Sequence, residues 1–556
     1  MKYIFLLISL FTFNFLQAQV TGVVKDAAGE PIPGANVFWM NTTNGVTTNE
    51  DGNFSIHKPA RSHMLVVSFI GFENDTIHVD KGNQQLDIVL REGVELSEVN
   101  VVTRKLGTMK LRTSVMNEDM ISSAELTRAA CCNLGESFVT NPSVDVSYSD
   151  AATGAKQIKL LGLSGTYVQM MTENIPNFRG AAAPYGLGYV PGPWMQSIQV
   201  SKGSSSVKNG YESITGQINV EFKKPQLPEA DWVSANLFAS STNRYEANAD
   251  ATVKLSKRWS TSLLAHYENE TKSHDSNDDG FVDIPRVEQY NVWNRWAYMG
   301  DHYVFQAGIK ALHETRNSGQ IAHGNTPSHD LYEIGIKTNR YEAFTKNAYI
   351  FDKEKNTNLA LILQGTLHNQ DANYGRKLYD VDQSNFYASL LFETELSKQH
   401  SLSAGLSFNY DGYDQNYRLT NQAEEGLTKK FVKESVPGAY VQYTFNLNDQ
   451  LMLMGGIRGD YSSEYGFFVT PRAHVKYNPN EYLHFRVSAG KGYRTNHVLA
   501  ENNYLLASSR KMKIASHLDQ EEAWNYGASV STYIPLFGKT LNVNAEYYYT
   551  DFLKQV

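Results

Sequence analysis

The alternation of apolar and polar residues is the feature that most limits how this chain can fold. In the C-terminal stretch LHFRVSAGKGYR, Leu483, Phe485 and Val487 share one face, while His484 and Arg486 share the other. The stretches LNVNAEYYYT, SLSAGLSFNY, LALILQGTLH, HYVFQAGIKA and AYVQYTFNLN repeat this period of two. A period of two predicts β-strands with two chemically different faces, so we expect a mostly β protein.

The connections between these strands differ in length. Short breaks such as NLNDQ and NPNEY contrast with long polar segments such as NETKSHDSNDDGFVDIPRVEQ. Alternating strands of about ten residues, with short turns at one end and long loops at the other, are typical of a transmembrane antiparallel β-barrel. A soluble all-β array is the alternative. It is disfavoured because the apolar faces are rich in aromatic residues, which make up 12% of the chain.

The first residues predict export from the cytoplasm. The segment MKYIFLLISLFTFNFLQAQ has a basic Lys2, an apolar run from Ile4 to Phe15 and a small Ala18, which is typical of a signal peptide over residues 1–18. A single membrane-spanning helix fits less well, because the run is shorter than the ~20 residues of a span. The rest of the sequence has no long apolar run, so we do not expect a helical membrane protein.

Residues 19–92 are predicted to form a small, separate β-sandwich. Short strand-like runs are separated by turn-forming pairs: Ala28-Gly29, Pro33-Gly34, Asn44-Gly45, Asp51-Gly52 and Lys81-Gly82. The stretches GVVKDAAGEPIPGANV, TTNEDGNFSI and VVSFIGF resemble the carboxypeptidase regulatory-like domain. No H-E-x-x-H zinc motif is present, so we expect an accessory module without catalysis.

Residues 109–225 contain two stretches that carry a second resemblance. LLGLSGTYVQMMTENIP at 160–176 and IQVSKGSSSVKNGYESITGQINVEFKKP at 198–225 resemble the plug domain of TonB-dependent outer-membrane receptors. Two departures from the family pattern are the turn in MMTENIPNFRG, which is less acidic, and Gln217, which replaces a glycine. GIRGDYSSEYGFFVTPRAHVKYNP looks like a landmark of the same family's barrel.

This resemblance implies an architecture and a location. It implies an α+β plug at 109–225 inside an outer-membrane β-barrel that starts at 226. About 22 strands are expected in such a plugged barrel, whereas residues 226–556 have room for roughly 14–16, so the sequence is expected to be incomplete. The barrel would contact outer-membrane lipid of a Gram-negative bacterium, and the N-terminal domain would lie in the periplasm.

The linker at 93–108 holds a candidate coupling segment. ELSEVNVVTRK resembles a TonB box, whose extended backbone pairs with a partner by strand addition. The implied partner is the TonB-ExbB-ExbD energy-coupling complex. The last strand of the sandwich and a plain linker are the alternatives. The residues predicted to bind TonB are Glu98, Val99, Asn100, Val101 and Val102.

Four sulfur-bearing side chains in the plug form a candidate ligand site. Cys131, Cys132, Met170 and Met171 offer the soft donors that Cu(I) prefers. Because no spacing brings the sulfurs together, a vicinal disulfide or a buried apolar pair is the favoured alternative for the two cysteines.

The long loop contains a candidate calcium site. In DSNDDGFVD, Asp275, Asn277 and Asp279 fit the first half of a calcium loop, and Asp283 falls at its ninth position. Arg286 replaces the glutamate expected at the twelfth position, so a solvated acidic loop is the alternative. Five scattered histidines are interpreted as ordinary polar residues: His266, His274, His313, His323 and His329.

The resemblance implies TonB-dependent active import of a scarce solute, for which a siderophore or another small-molecule metal chelate is expected. Copper, cobalamin and haem are alternatives, and so is a non-transporting surface receptor or adhesin. No nucleophile–base pair shows by spacing, so we expect no enzyme activity and no required cofactor. With a net charge of −8 and no long basic run, we expect no nucleic-acid partner.

Overall fold

A computed structural model describes the chain in two compact units, Met1–Leu106 and Gly107–Val556, which are treated separately. The predicted signal peptide lies outside the described residues. Within the described part, no helix is long and apolar enough to cross a membrane. The described residues are 19–26, 29–39, 45–49, 51–58, 64–69, 75–79, 85–90, 108–111, 114–129, 132–139, 141–225, 232–321, 331–419, 428–447, 450–480, 482–510, 512–515, 518–536 and 539–556.

The first unit contains two small sheets, with strand orders β4-β1-β7 and β3-β2-β5-β6, where β1 and β7 are parallel. Buried side chains from both sheets form one apolar core, which includes Val20, Trp39, Phe54 and Leu65. The predicted β domain is therefore confirmed. Its strands are β1 (Gln19–Lys25), β2 (Asn36–Trp39), β3 (Gly45–Thr47), β4 (Asn53–His57), β5 (Met64–Ser68), β6 (Asp75–His78) and β7 (Gln85–Val89).

The second unit begins with the plug. Its strands are β8 (Thr108–Lys110), β9 (Asn117–Ser122), β10 (Val144–Asp150), β11 (Ala155–Leu160), β12 (Leu163–Ser164), β13 (Val168–Thr172), β14 (Ile175–Pro176), β15 (Met195–Lys202) and β16 (Gly216–Phe222). Helix α1 (Ser123–Arg128) is capped by the Ser122 hydroxyl. The plug also has 3-10 helices at Leu134–Glu136, Gly165–Tyr167, Gly180–Ala182, Gly186–Tyr189, Gly192–Trp194 and Val207–Asn209.

The plug strands form a six-stranded mixed sheet in the order β14-β13-β16-β15-β9-β8, beside a small sheet of β10, β11 and β12. Strand β15 pairs antiparallel with β16, from Lys202 opposite Gly216 to Met195 opposite Phe222. The glycine- and serine-rich residues 203–215 are thus the connection of a hairpin inside the plug. The predicted pair of strands around this segment is confirmed.

The remaining strands form one antiparallel sheet of 15 strands, each paired with its neighbours in sequence. We call this sheet the wall. Its first eight strands are β17 (Trp232–Ala239), β18 (Arg244–Lys254), β19 (Trp259–Glu270), β20 (Arg286–Met299), β21 (Tyr303–Gly319), β22 (Glu333–Asp352), β23 (Thr357–Tyr374) and β24 (Lys377–Ser397). The others are β25 (His400–Leu419), β26 (Thr428–Leu447), β27 (Leu451–Ser462), β28 (Gly466–Asn480), β29 (Leu483–Arg494), β30 (Glu521–Leu536) and β31 (Lys539–Lys554).

Side chains alternate across the wall as predicted. In β20, Tyr290 and Val292 are exposed on the outer face, whereas Gln289, Asn291 and Arg295 are buried on the inner face. This reverses the burial of a soluble protein, because apolar residues lie outside and polar residues lie inside. An outer-membrane barrel requires this arrangement, since lipid contacts the outer face and the plug contacts the inner one.

The connections of the wall also follow the prediction. Every long connection lies at one end: the segments 271–285, 320–332, 420–427 and 495–520. Turns at the opposite end are short, as between β22 and β23 or between β24 and β25. The segment 495–520 carries helix α2 (Val498–Glu501) and a 3-10 helix (Asn503–Ala507), which lie beside the plug sheet's connections.

Candidate functional site

The plug contacts the wall through an apolar cluster around Trp293 of β20 and through many polar groups. Arg472 of β28 reaches across and donates from its guanidinium to the backbone carbonyls of Ser205, Ser206, Tyr211 and Ser213, at 3.1 to 3.3 Å. The hairpin connection 203–215 therefore folds around one buried arginine. Arginine suits this position because its planar fork offers five donors that remain charged.

Glycine lets this connection approach the wall. Gly203 has a φ of +77°, and a Cβ there would lie 3.0 Å from both Asn525 and Tyr548 of the wall. On the opposite side, a Cβ at Gly490 would overlap the side chain of Ser204. The connection is therefore held close to β29, β30 and β31, at distances that a side chain would prevent.

A second set of contacts ties the first plug strands to the wall. Glu546 of β31 accepts from Lys110 at 2.7 Å and from Lys202 at 2.8 Å. Lys202 also lies 2.9 Å from Asp119. Burial lowers the pKa of Lys110, and Glu546 opposes that shift. Lys110 ends β8, the first strand of the plug, so this cluster ties the start of the plug to the last wall strand.

Further ion pairs join the plug to strands on the other side of the wall. Glu173 pairs with Arg295 of β20 at 2.6 Å. Glu136 pairs with Arg244 of β18 at 2.8 Å. Lys208 pairs with Glu393 of β24 at 3.3 Å. Glu173 and Arg295 are buried and the other four groups are half-buried, so each depends on its partner more than a surface charge would.

A cavity of about 180 Å³ lies between the plug and the wall at the long-loop end. The plug, the inner face of the wall and the segment 495–520 all contribute to its lining. We call it the upper cavity. Its charged and aromatic lining residues include Lys156, Phe178, Arg179, Tyr211, Glu212, Asp411, Glu434, Arg494, His497, Glu501 and Tyr504.

Two arginines organise the charges of the upper cavity. Arg179 of the plug pairs with both Glu212 and Asp411, the latter at 3.3 Å. Arg494 pairs with both Glu501 and Glu521, the latter at 2.6 Å. Each guanidinium thus serves two carboxylates.

Glu434 of β26 is bonded differently. Its Oε1 accepts from the hydroxyls of Ser462, at 2.5 Å, and Thr495, at 3.2 Å. In the described part of the chain it has no cationic partner. Glu434 is 2% exposed, so this carboxylate is buried beside the cavity with only hydroxyl groups to stabilise it.

This environment shifts the pKa of two titratable groups that lie outside the wall strands. Burial raises the pKa of Glu212, opposed by Arg179 and reinforced by Asp411. Burial lowers the pKa of His497, whose ring lies against Tyr413 with centroids 4.3 Å apart. His497 is therefore held in its neutral form.

The four predicted soft donors are not brought together among the residues that are described. Cys131 lies outside them. Cys132 lines a second cavity of about 250 Å³ beside Glu136 and Arg244, while Met170 lines the upper cavity. Met171 is fully buried in the plug sheet. Burial raises the pKa of the Cys132 thiol, which opposes formation of a thiolate. A soft-metal site formed by all four residues stays a prediction.

The candidate calcium loop joins β19 to β20 at the long-loop end. Asp275 accepts from the backbone amides of Asp279, at 3.1 Å, and Gly280, at 2.9 Å. Asp283 accepts from the amide of Ser276 at 2.7 Å, and Asn277 donates to Asp279 at 3.0 Å. These bonds close the loop on itself. The described residues hold no group of three or more His, Cys, Asp or Glu side chains placed to bind a metal, and calcium binding stays a prediction.

The histidines have ordinary hydrogen bonds where they are described. His266 contacts the side chain of Asn248, His274 the carbonyl of Thr242, and His313 the side chain of Asn339. His323 and His329 lie outside the described residues. So does the whole predicted TonB-binding segment, Glu98 to Val102, which stays a prediction.

Sequence reasoning did not single out Arg472, Arg179 or Glu434. A signal was present for Arg472, because it alternates with His474 and Lys476 on one face of a strand, and all three are buried. A run of cations on the inner face of a barrel strand indicates contact with a plug or a ligand. Arg179 and Glu434 lack such a local pattern.

Comparison with family models gives three matches along the chain. A model described as a CarboxypepD_reg-like domain matches residues 20–102. A TonB-dependent Receptor Plug Domain model matches residues 110–217. A TonB dependent receptor-like, beta-barrel model matches residues 295–553. The plug and barrel models thus match the regions that form the plug sheet and most of the wall.

Curated relatives are similar to parts of the chain. TonB-dependent receptor SusC of Bacteroides thetaiotaomicron is 28% identical over 245 residues, which cover 41% of this chain and 24% of that protein. TonB-dependent receptor P39 of Formosa agariphila is 39% identical over 100 residues, which cover 17% and 10% of the two chains. The chain thus spans a quarter or less of the length of these relatives.

Solved structures share the fold at low sequence identity. The alcaligin outer-membrane receptor FauA of Bordetella pertussis has a TM-score of 0.62 at 14% identity, covering 82% of this chain and 76% of that one. The copper transporter OprC has a TM-score of 0.61 at 11% identity, with 80% and 76% covered. These similarities show the plugged-barrel fold.

Proposed function

Because the chain belongs to the TonB-dependent outer-membrane receptors with an N-terminal carboxypeptidase regulatory-like domain, we propose that it actively imports a scarce solute. The family resides in the outer membrane of Gram-negative bacteria and works with the TonB energy-coupling machinery. The barrel of this chain therefore lies in the outer membrane. In this proposal its N-terminal unit would lie in the periplasm. The solute would bind at the long-loop end, and TonB-ExbB-ExbD would supply the energy.

The observation that supports import is the set of buried polar contacts that the plug makes with the wall, beside the apolar cluster around Trp293. Arg472, Glu546 and Arg295 hold the plug through hydrogen bonds and ion pairs, which water can replace when a segment moves. An apolar interface of the same size would resist such movement, because about 25 cal/mol is lost per Å² of apolar surface exposed. The interface is thus suited to rearrangement under load.

The solute is proposed to be a siderophore or another metal chelate. Proteins of similar fold include the alcaligin receptor FauA, FpvA bound to a pyoverdine, and the copper transporter OprC. Copper, cobalamin and haem remain alternatives. So does a non-transporting surface receptor or adhesin, which would use the same fold without energy coupling. No enzymatic step and no resident cofactor form part of this proposal.

The test is to uncouple the segment that precedes the plug. Replacing residues 98–102 with five Gly and Ser residues keeps the linker length but removes the Val-rich extended run. Accumulation of ⁵⁵Fe from a panel of ferric chelates should fall to the level of a strain lacking this gene. Surface binding of the same chelates and insertion of the barrel should be unchanged.

The matched control replaces residues 103–107 with the same Gly and Ser sequence. It should retain uptake, because it changes linker composition without touching the predicted TonB-binding residues. Full accumulation after replacement of 98–102 would refute energy coupling through this segment. If a strain lacking TonB also accumulated as much as the wild type, uptake would be independent of TonB. Accumulation in the wild type no higher than in the strain lacking this gene would favour the non-transporting alternative.

A further inference from the structure

The charges around the upper cavity do not balance. Four buried or half-buried carboxylates line it: Glu212, Asp411, Glu434 and Glu501. Two guanidinium groups, Arg179 and Arg494, face them, and each is already shared between two carboxylates. Lys156 lines the cavity too, but it pairs with Glu136 at 4.0 Å, away from these groups. The described lining therefore carries an excess of negative charge.

Glu434 shows where this excess is accessible. Both of its hydroxyl donors bond to the same oxygen, Oε1. Its other oxygen, Oε2, has no hydrogen-bond partner among the residues that are described. A carboxylate that is 98% buried normally has a cation or several donors around it, because its desolvation costs several kcal/mol. Glu434 has two hydroxyl donors on one oxygen and no cation among the described residues, so its second oxygen is left for a ligand in the cavity.

The other residues of the lining indicate which type of cation would pair with Glu434. The described carboxylates do not converge into a group of three that could coordinate a metal ion. They line a cavity of about 180 Å³, which exceeds the needs of a bare ion. Tyr504, which is half-buried, contributes an aromatic side chain to the lining, and aromatic rings attract organic cations. Spread carboxylates with aromatic neighbours suit ammonium or guanidinium groups on a larger molecule.

We propose that the upper cavity binds a solute through a positively charged organic group, an ammonium or guanidinium that pairs with Glu434. This inference rests on the proposed import function and narrows its solute. A chelate with a net negative charge would be repelled by the same lining. A metal chelate that carries amine or guanidine groups remains compatible with it.

The test measures binding by the protein purified from outer membranes in detergent, by titration calorimetry at fixed ionic strength. Spermidine is the cationic probe, and 1,8-octanediol is a neutral probe of similar length. Spermidine should bind and the diol should not. Glu434→Gln keeps the shape of the side chain but removes its charge, so spermidine binding should weaken about tenfold or more.

Three further measurements serve as controls for this result. Glu354→Gln, in an exposed turn at the opposite end of the wall, should bind spermidine as the wild type does. Mg²⁺ at matched ionic strength should not displace spermidine. If Glu434→Gln fails to insert into the membrane, Glu501→Gln is used instead, since it removes a carboxylate while Arg494 keeps Glu521.

Equal affinities in the wild type and Glu434→Gln would overturn the proposal, as would equal binding of the diol. Displacement by Mg²⁺ would overturn the organic cation in favour of a simple metal-cation site. Calorimetry needs no energy-coupling partner, so replacement of residues 98–102 should leave spermidine binding intact. The two proposals can therefore fail independently. Absence of spermidine binding would contradict the cation site alone, and uptake that is unaffected by the replacement of 98–102 would contradict coupled import alone.

Discussion

The N-terminal sandwich and the plug–wall interface bury different mixtures of side chain. The sandwich packs Val20, Trp39, Phe54 and Leu65 into an apolar core. The plug–wall interface buries arginines, carboxylates and hydroxyls beside its apolar cluster, with Arg472 at the centre of one polar group. The first arrangement favours one permanent structure. The second can exchange protein partners for water one group at a time, which suits a domain that must move.

The largest expected effect tests the sandwich side of this comparison. Trp39 of β2 is fully buried, and Trp39→Ala would leave a large cavity and destabilise the N-terminal unit by about 3–5 kcal/mol. Pulse proteolysis in urea, read with an antibody against the N-terminus, measures the change. Val89→Ala, at a side chain that is 51% exposed in β7, is the matched control and should stay within about 0.5 kcal/mol. A loss below 1 kcal/mol for Trp39→Ala would contradict a permanent apolar core.

A smaller effect is expected from a change at Arg472, which bonds the plug to the wall. Arg472→Lys keeps the charge but loses the fork that reaches Ser205, Ser206, Tyr211 and Ser213. Local opening of residues 203–215 should become easier by about 1–3 kcal/mol, while the barrel stays inserted. Hydrogen exchange at the amides of residues 203–215 measures this change in the free energy of opening.

Arg418→Lys is the control for this variant, because Arg418 is exposed on β25. It should leave exchange in 203–215 unchanged. If Arg472→Lys also left it unchanged, the connection would be held by its backbone conformation and by packing. The polar contacts of Arg472 would then not be what holds the plug against the wall.

The sequence specifies the local features of both regions well. Alternation placed Phe485 and Val487 on the outer face and His484 and Arg486 on the inner one, as the structure has them. Alternation and turn chemistry act over a few residues, so a sequence displays them directly. The same reasoning found the strands on either side of residues 203–215.

The charges of the upper cavity lie beyond such reasoning. Arg179 and Asp411 are 232 positions apart, and Thr495 is 61 positions from Glu434. Only the register of the wall strands and the insertion of the plug bring these groups together. No local pattern marks Glu434 as a carboxylate without a cation, and Cys132 and Met170 show the converse, because a suggestive composition did not place them in one cavity.

The smallest expected effect concerns pH, and it tests whether the polar interface responds to conditions that leave an apolar core unchanged. Burial lowers the pKa of His497; Glu501 and Asp411 oppose the shift, whereas Arg494 and Arg179 reinforce it. The ring of His497 is therefore packed in its neutral form, and it would take up a proton more readily if residues 495–510 opened. The stability of this segment should be full above the ordinary histidine pKa of about 6.5 and decline as the pH falls towards the lowered value.

Hydrogen exchange of residues 495–510, corrected for intrinsic rates, should thus show more opening at pH 5.5 than at pH 7.5, by less than the Arg472→Lys effect. His497→Gln cannot titrate, so its opening should vary less with pH, even though it loses the contact with Tyr413. The sandwich contributes an internal control, because its core has no histidine and exchange at β2 and β5 should not follow the same curve. An equal pH response in the wild type and His497→Gln would assign the opening to the carboxylates of the cavity, and His497 would then be a packing residue only.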